Sequence, residues 1–328
     1  MEHPEIKYGK TGVLLINLGT PDSTSWWDIR KYLKEFLSDK RVIEVNPILW
    51  QIILNVFILT FRPSKTARAY KKIWMKEKNT SPLRHYTISQ TEKVNKEIGN
   101  ENLIIDYAMR YGNPSIKNKI EDLQGKGCEK IIILPLYPQY AAPTTATVCD
   151  EVYRTLMKLR WQPNLQIIPH YESEPLYIDA IVNSLNKKMS QIDWKPEVIV
   201  ASYHGVPKKY FEKGDPYHCY CHKTTRLISE KFDKIPIITT FQSRFGPEQW
   251  LQPYTDKTLE SLPKEGKKNI LIICPGFASD CVETLEEISI EGKESFIEAG
   301  GKNFSMVPCL NDSSEHIELL KYLIKKSL

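Results

Sequence analysis

A histidine and a row of carboxylates stand where the strands of a parallel sheet would end. The histidine is His204, in Ser202-Tyr203-His204-Gly205-Val206-Pro207, after the β-branched run 198–201. The carboxylates are Glu283, Glu287 and Glu291, which follow an apolar run at 269–273 and the string Cys274-Pro275-Gly276-Phe277. Open α/β sheets bind ligands beyond the C-terminal ends of their strands. An imidazole, with an ordinary pKa of about 6.5, can take a proton at neutral pH or ligate a metal. Glutamates four residues apart share a helix face and repel by tenths of a kcal/mol, which visiting cations would relieve. A crevice holding both suits the handling of protons or a divalent cation. Plainer readings exist for each. A histidine that ends a strand is often structural, and Asp280-x-x-Glu283 matches a capping arrangement with acids at a helix N-terminus.

Other chemistry-bearing residues are weaker signals. Cys219-Tyr220-Cys221-His222, with His218, looks like a metal cluster, but no second cysteine pair is nearby. Cys274, Cys281 and Cys309 lie in or beside apolar strands and read as buried small hydrophobes. Arg110, Tyr111, Tyr137, Tyr140, Phe241, Arg244, Phe245 and Trp250 all fall at or beyond strand ends. Aromatic and arginine side chains around a cleft suit a large flat ligand bearing carboxylates. Ordinary packing explains any one of them alone.

The elements that must position these residues are legible as alternation. Eight strand candidates, 12–19, 103–109, 130–138, 164–170, 198–205, 237–243, 269–277 and 303–310, are rich in Ile, Val and Leu without clean alternation, as in strands buried on both faces. Helical patterns occupy 26–37, 64–76, 88–98, 115–123, 145–159, 176–190, 224–232, 283–299 and 313–325. The order predicts α/β architecture with parallel sheets. Gly-x-Pro recurs at Gly19-Thr20-Pro21, Gly112-Asn113-Pro114 and Gly205-Val206-Pro207, and Leu18-Gly-Thr-Pro is like His204-Gly-Val-Pro. That hints at two similarly built halves. We expect one lobe over 1–155 and a second over 156–310, with a final helix in 311–328 packing back on the first.

Composition narrows the class of function. The chain has 328 residues and a net charge of +5, with basic pairs such as Lys71-Lys72 broken by other residues, which argues against nucleic acid as a partner. No Gly-x-Gly-x-x-Gly or Walker-type loop follows a strand, so a nucleotide cofactor is not indicated. Residues Met1–Lys10 are polar and charged, without the apolar core of a secretory signal. The expectation is a cytoplasmic protein whose seven cysteines are free thiols. Pro47–Phe61 is strongly apolar but short for a membrane span, and Gln51 and Asn55 interrupt it. The favoured reading is a buried helix packed on a sheet; the other is an exposed apolar lip touching a hydrophobic substrate or a bilayer.

Taken together, the segments resemble ferrochelatases, the enzymes that insert ferrous iron into a porphyrin. The resemblance spans nearly the whole chain through Leu15-Ile-Asn-Leu-Gly-Thr-Pro21, Ser81-Pro82-Leu83, Arg110-Tyr111-Gly112, Leu136-Tyr-Pro-Gln-Tyr140, the His204 segment, Gly214-Asp-Pro-Tyr217, Phe241-Gln-Ser-Arg-Phe-Gly246 and Cys274 to Ile288. It implies two similar Rossmann-like lobes with a porphyrin cleft between them. It matches His204 to the family's active-site histidine, Glu283 to the acidic residue across the macrocycle and Glu287 to the next carboxylate. His204 and Glu283 would be the metal-holding pair. Leu18, Tyr70, Arg110, Tyr111 and Trp250 would contact the ring.

The implied substrates are protoporphyrin IX and ferrous iron, with the ring distorted, two pyrrole protons removed and the metal delivered. No tightly bound cofactor is expected. No cysteine follows Cys309, so the resemblance does not extend to the animal-type [2Fe–2S] cluster. Cys281 stands where some members have a histidine. The string from Asp280 to Glu287 looks like the Gram-negative bacterial form, which favours protoporphyrin over coproporphyrin. The expectation is a monomer, with peripheral contact with the inner membrane left open. Two rivals stay in view: a related chelatase for another metal or tetrapyrrole, and a non-catalytic haem or metal carrier.

Overall fold

Apolar runs bounded by turn residues form the eight strands of a computed structural model that describes residues 8–328. The polar opening segment, at residues 1–7, lies outside the described residues. In chain order the elements are β1 (Lys10–Thr20), α1 (Trp26–Leu37), α2 (Pro47–Ile53), α3 (Leu59–Ile73), α4 (Pro82–Ile98), β2 (Leu103–Gly112), α5 (Ile116–Gly125), β3 (Cys128–Pro135), α6 (Thr147–Leu156) and β4 (Asn164–Ile167). There follow α7 (Pro175–Met189), β5 (Val198–His204), α8 (Lys208–Glu212), α9 (Tyr217–Lys231), β6 (Ile237–Gln242), α10 (Thr255–Ser261), β7 (Asn269–Ile273), α11 (Lys293–Glu298), β8 (Asn303–Met306) and α12 (Ser314–Lys325).

The strands make two four-stranded parallel sheets, ordered β2-β1-β3-β4 and β6-β5-β7-β8. This is the α/β architecture of two Rossmann-like lobes. Each sheet places its first strand inside, its second on one side and its third and fourth on the other. The chain divides into one unit of 1–136, 142–169 and 317–328, and another of 137–141 and 170–316. The boundary expected at 155/156 therefore moves to 169/170. The reason is that β4 pairs with β3, Lys130 opposite Asn164, which ties 164–167 to the first sheet. Helix α12 belongs with the first unit, where Lys130 donates to the Ser327 carbonyl at 2.7 Å.

Local chemistry explains the element ends. Ser25, Ser81 and Ser115 precede α1, α4 and α5, and each hydroxyl accepts from a backbone N–H three residues on. Such caps satisfy donors that a helix start leaves open. In the first sheet Val13, Leu14, Leu15 and Ile16 are fully buried, as expected of a strand covered on both faces. In the second, Val198, Val200, Ile270 and Ile272 pack with Leu259, Leu262, Ile288 and Phe296.

Segment 47–61 departs from the favoured reading. Pro47–Ile73 is one continuous helix of 27 residues, α2 and α3 joined by a π-helical turn at Leu54–Ile58. One stripe, Leu54, Leu59, Pro63, Ala67 and Tyr70, is buried. The opposite side leaves Ile48 77% and Phe61 72% exposed, with Leu49, Ile52, Val56 and Phe57 also open. The sequence shows enough apolar residues for burial, but not that this helix has a single packed side.

Candidate active site

The site begins with the register of two strands. Tyr203 pairs with Phe241 and His204 with Gln242 across β5 and β6. Side chains alternate along a strand, so Tyr203 and Phe241 share one face of the sheet, and Ser202, His204 and Gln242 share the other. Tyr203 shows its side by bonding Thr225 of α9 at 3.0 Å, while the Ser202 hydroxyl donates to Gln242 Oε1 at 2.7 Å. A Cβ on Gly205 would lie 2.8 Å from the Gln242 carbonyl oxygen, so only glycine lets the chain leave β5 this close to β6.

His204 is half-exposed at the C-terminal end of β5. Its Nδ1 lies 2.6 Å from the Gly205 carbonyl oxygen. A carbonyl only accepts, so Nδ1 carries a proton, and in the neutral ring the lone pair lies on Nε2. The imidazole is therefore oriented as a base or ligand through Nε2.

The glutamates lie on a π-helix, Glu283–Gly292, which α11 continues. A π-helix bonds i to i+5 and commonly marks a functional site. This corrects the α-helical row of three carboxylates: Glu283 and Glu287 are half-exposed, while Glu291 is exposed. Ile288 and Phe296 anchor the helix in the sheet core. Glu287 is held at both oxygens, Oε1 by the Ser243 N–H at 2.7 Å and Oε2 by the Ser243 hydroxyl at 2.5 Å. Ser243 adopts φ 66, a left-handed conformation at the end of β6. Gln242 Nε2 donates to the Glu283 carbonyl oxygen at 2.8 Å and reaches Glu287 Oε2 at 3.4 Å. Burial pushes the Glu287 carboxyl above the ordinary carboxylate range; the Ser243 hydrogen bonds and the nearby His204 pull it down, and Glu283 pushes it up. His204, Glu283 and Glu287 thus form one electrostatic group.

Asp280 is not the helix cap that its spacing suggests. It is buried and accepts from the Thr284 hydroxyl at 3.0 Å and from Asn311 Nδ2 at 2.7 Å, while its own N–H donates to Asn311 Oδ1 at 2.8 Å. The Cys281 N–H goes to Thr284 Oγ1 at 3.0 Å. Asp280 therefore ties the start of the π-helix to the loop after β8. Trp250 is buried beside His204's turn: it forms a bridge with Pro207, packs at a tilt on Phe245 with ring centroids 5.1 Å apart, and its ring would meet a Cβ on Gly205 at 3.2 Å.

The remaining expected residues lie in the first unit. Leu18 is half-buried near the end of β1. Tyr70 is buried on α3 and packs near Trp74. Arg110 and Tyr111, expected as ring contacts, lie in a packed group at the end of β2. Arg110 donates to Asp39 at 2.5 Å and to the Thr147 carbonyl at 2.9 Å, and it stacks on Tyr111 at 4.3 Å. Tyr111 is 0% exposed and bonds Asp39 at 3.0 Å. Burying an arginine requires a carboxylate partner, and Asp39, unremarked in the sequence, fills that need. Arg244 is likewise paired, with Asp256 at 2.9 Å.

All seven cysteines are free. Cys274 and Cys281 are buried, Cys309 is half-buried, and the CxCH string lies on α9 with Cys219 exposed and Cys221 buried. The two thiols thus face apart. Sequence reasoning missed Ser243 and Gln242 as the partners of Glu287, and Ser202 as the partner of Gln242; the signal was that Phe241-Gln-Ser-Arg stood at a strand end. Among the described residues no three His, Cys, Asp or Glu side chains gather as a metal cage.

Comparison with solved structures gives the class. The fold is similar to SirB from Bacillus subtilis with Fe3+, with a TM-score of 0.58 at 12% identity, over 97% of this chain and 95% of that one. It is also similar to CbiX, the terminal enzyme for biosynthesis of siroheme in denitrifying bacteria, with a TM-score of 0.52 at 11% identity, over 97% and 99%. At such identities the likeness is one of fold, that of the chelatases. Sequence relatives are more specific. The ferrochelatase family model matches residues 10–328. Ferrochelatases of Allorhizobium ampelinum and Rhizobium meliloti are each 53% identical, over 100% of this chain and 96% and 97% of theirs. That of Francisella tularensis subsp. novicida is 50% identical, over 100% and 99%. The chain belongs to the ferrochelatase family.

Proposed function

We propose that His204, Glu283 and Glu287 carry the family's reaction in this chain, the insertion of ferrous iron into protoporphyrin IX to form protohaem. Two pyrrole N–H protons must leave and a divalent ion must lose water and enter the ring. The observation that carries the assignment is the pair of oriented groups: His204 with Nδ1 turned to the Gly205 carbonyl and Nε2 left open, and Glu287 fixed by Ser243 with its carboxyl pushed above the ordinary range by burial. His204 accepts a pyrrole proton or holds iron on one side. Glu283 and Glu287 serve as ligand or base and as relay. A group with a pKa raised toward neutrality is well matched to pass a proton in either direction. The incomplete ligand set supports the same reading. A chelatase gives its metal away, and a closed cage would keep it.

Ring contact is assigned to Trp250 beside His204, and to Leu18 and Tyr70 in the first unit. Arg110 and Tyr111 act through the shape their Asp39 group gives the end of β2. Binding energy at the ring's periphery would support its distortion toward the metallated geometry. We take the working unit to be a cytoplasmic monomer, a reading that gel filtration of the purified protein tests directly.

We also assign helix Pro47–Ile73 a peripheral place on an anionic bilayer surface. One stripe is committed to the first unit, so the helix lies on the membrane and does not span it. Its open side combines Ile48, Leu49, Ile52, Val56, Phe57 and Phe61 with exposed Lys65 and Arg68. That pattern fits an interfacial helix. The test is sedimentation with phosphatidylglycerol-containing vesicles, in which Phe57→Glu with Phe61→Glu should lower the bound fraction several-fold. Equal binding by the variant and wild type would remove the assignment. For the reaction itself, metallation by His204→Ala and Glu287→Gln beside wild type is the test; a variant that keeps most of its rate removes that residue from the mechanism.

A further inference from the structure

The face of β5 and β6 opposite to His204 carries a second group of imidazoles. Helix α9 lies on that side, fixed by the Tyr203–Thr225 bond and by the burial of Tyr217, Cys221, Thr224 and Ile228. Four residues separate His218 from His222, so they stand one turn apart on one side of α9. Their ring centroids are 4.4 Å apart. Both rings rest near Phe241, at 5.9 and 6.1 Å, and His218 also packs on Phe211 at 5.1 Å. His218 is half-buried and His222 is exposed, so the pair is open to solvent while resting on an aromatic floor.

We propose that His218 and His222 form a second divalent-cation site, separate from the His204 group and on the other face of the same sheet. It takes one borderline ion, of the Zn2+, Ni2+ or Fe2+ kind, through two imidazole nitrogens, with water in the remaining positions. Imidazole suits such ions, whereas magnesium and calcium prefer oxygen. Burial keeps both imidazoles below the ordinary histidine range, so they are neutral and ready to ligate near pH 7. Cys219 is exposed on the neighbouring part of the helix, yet no three-ligand group forms there among the described residues. Two ligands make the site exchangeable, a place where a cation is held and released.

The test uses calorimetric titration of the full chain, without porphyrin, with Ni2+ and then Zn2+. It compares wild type, His218→Ala, His222→Gln, Cys219→Ser and His204→Ala. Either α9 histidine substitution should weaken one binding event at least tenfold, while Cys219→Ser and His204→Ala leave that event in place. Copper(II) added at one equivalent to the His204→Ala protein should show spin-resonance couplings to two imidazole nitrogens, and these should disappear in His218→Ala. Should an α9 variant fold poorly, wild-type protein decides: Zn2+ should shield His218 and His222 from diethylpyrocarbonate. Unchanged affinity in both histidine variants overturns the proposal. So does loss of the event in Cys219→Ser, or modification of both histidines at full rate in saturating Zn2+.

Discussion

One position distinguishes the two sheets chemically: the residue before the glycine that ends each inner strand. In β1 it is Leu18, before Gly19; in β5 it is His204, before Gly205. Both are half-buried, and both glycines are forced by close approach, since a Cβ on Gly19 would lie 1.8 Å from the Tyr111 carbonyl oxygen. The same backbone device thus carries an apolar side chain in one unit and an imidazole in the other. Replacing His204 with alanine should lower turnover by about 100-fold or more, the usual scale for a lost acid–base group, with porphyrin binding retained by fluorescence quenching. Ser243→Gly tests Glu287. Glycine tolerates the left-handed φ of 66 and keeps the N–H bond but removes the hydroxyl that lowers the Glu287 pKa. The acid limb of the pH–kcat/KM profile should therefore move upward, by roughly half to one unit for a lost hydrogen bond. A limb that stays in place would mean that Glu287 does not set it.

At the scale of elements, the π-helix and the loop that holds it depend on a buried network. Asp280 and Asn311 join the start of Glu283–Gly292 to the segment after β8, and the Asn311 carbonyl accepts from His316 Nδ1 at 2.6 Å. His316 is fully enclosed, and burial pushes its pKa down to about 4. The unfolded chain, with an ordinary histidine, takes up a proton first as pH falls below about 6.5. Stability from this group is therefore present above that pH and is lost between there and about 4, by up to roughly 3 kcal/mol. Urea unfolding of His316→Gln should show a flatter dependence across that window; an unchanged slope would assign the dependence elsewhere. Much of this level was legible. All eight strands follow from apolar runs, and α1 matches its expected bounds of 26–37 because Ser25 caps it and amphipathic spacing sustains it. The π-helices at 54–58, 142–146 and 283–292 were not legible, because their geometry comes from tertiary anchors such as Ile288 and not from propensity. The short helices α8 and α10 lack a long periodic pattern. For the candidate site, residue types single out His204, Glu283 and Glu287 as candidates, whereas Ser243 and Asp39 acquire meaning only from what the fold puts beside them.

At the scale of the molecule, two sheets of the same strand order carry different equipment. Of the Gly-x-Pro strings, Gly19-Thr20-Pro21 and Gly205-Val206-Pro207 stand at equivalent places, at the ends of β1 and β5, while Gly112-Asn113-Pro114 stands at the end of the edge strand β2 of the first sheet. The first unit supplies apolar and aromatic surface, the long exposed helix and the enclosed Asp39–Arg110–Tyr111 group. The second supplies the titratable groups on one sheet face and the imidazole pair on the other. The central claim is that His204, Glu283 and Glu287 act together on porphyrin and metal. The most direct measurement is the rate of zinc-porphyrin fluorescence from protoporphyrin IX and zinc, the latter standing in for iron. Wild type would be run beside His204→Ala, Glu283→Gln and Glu287→Gln, with ring binding followed separately. The account predicts many turnovers by wild type and a large loss in each variant with binding kept. Near wild-type turnover in all three variants, or stoichiometric binding without turnover by wild type, would contradict it.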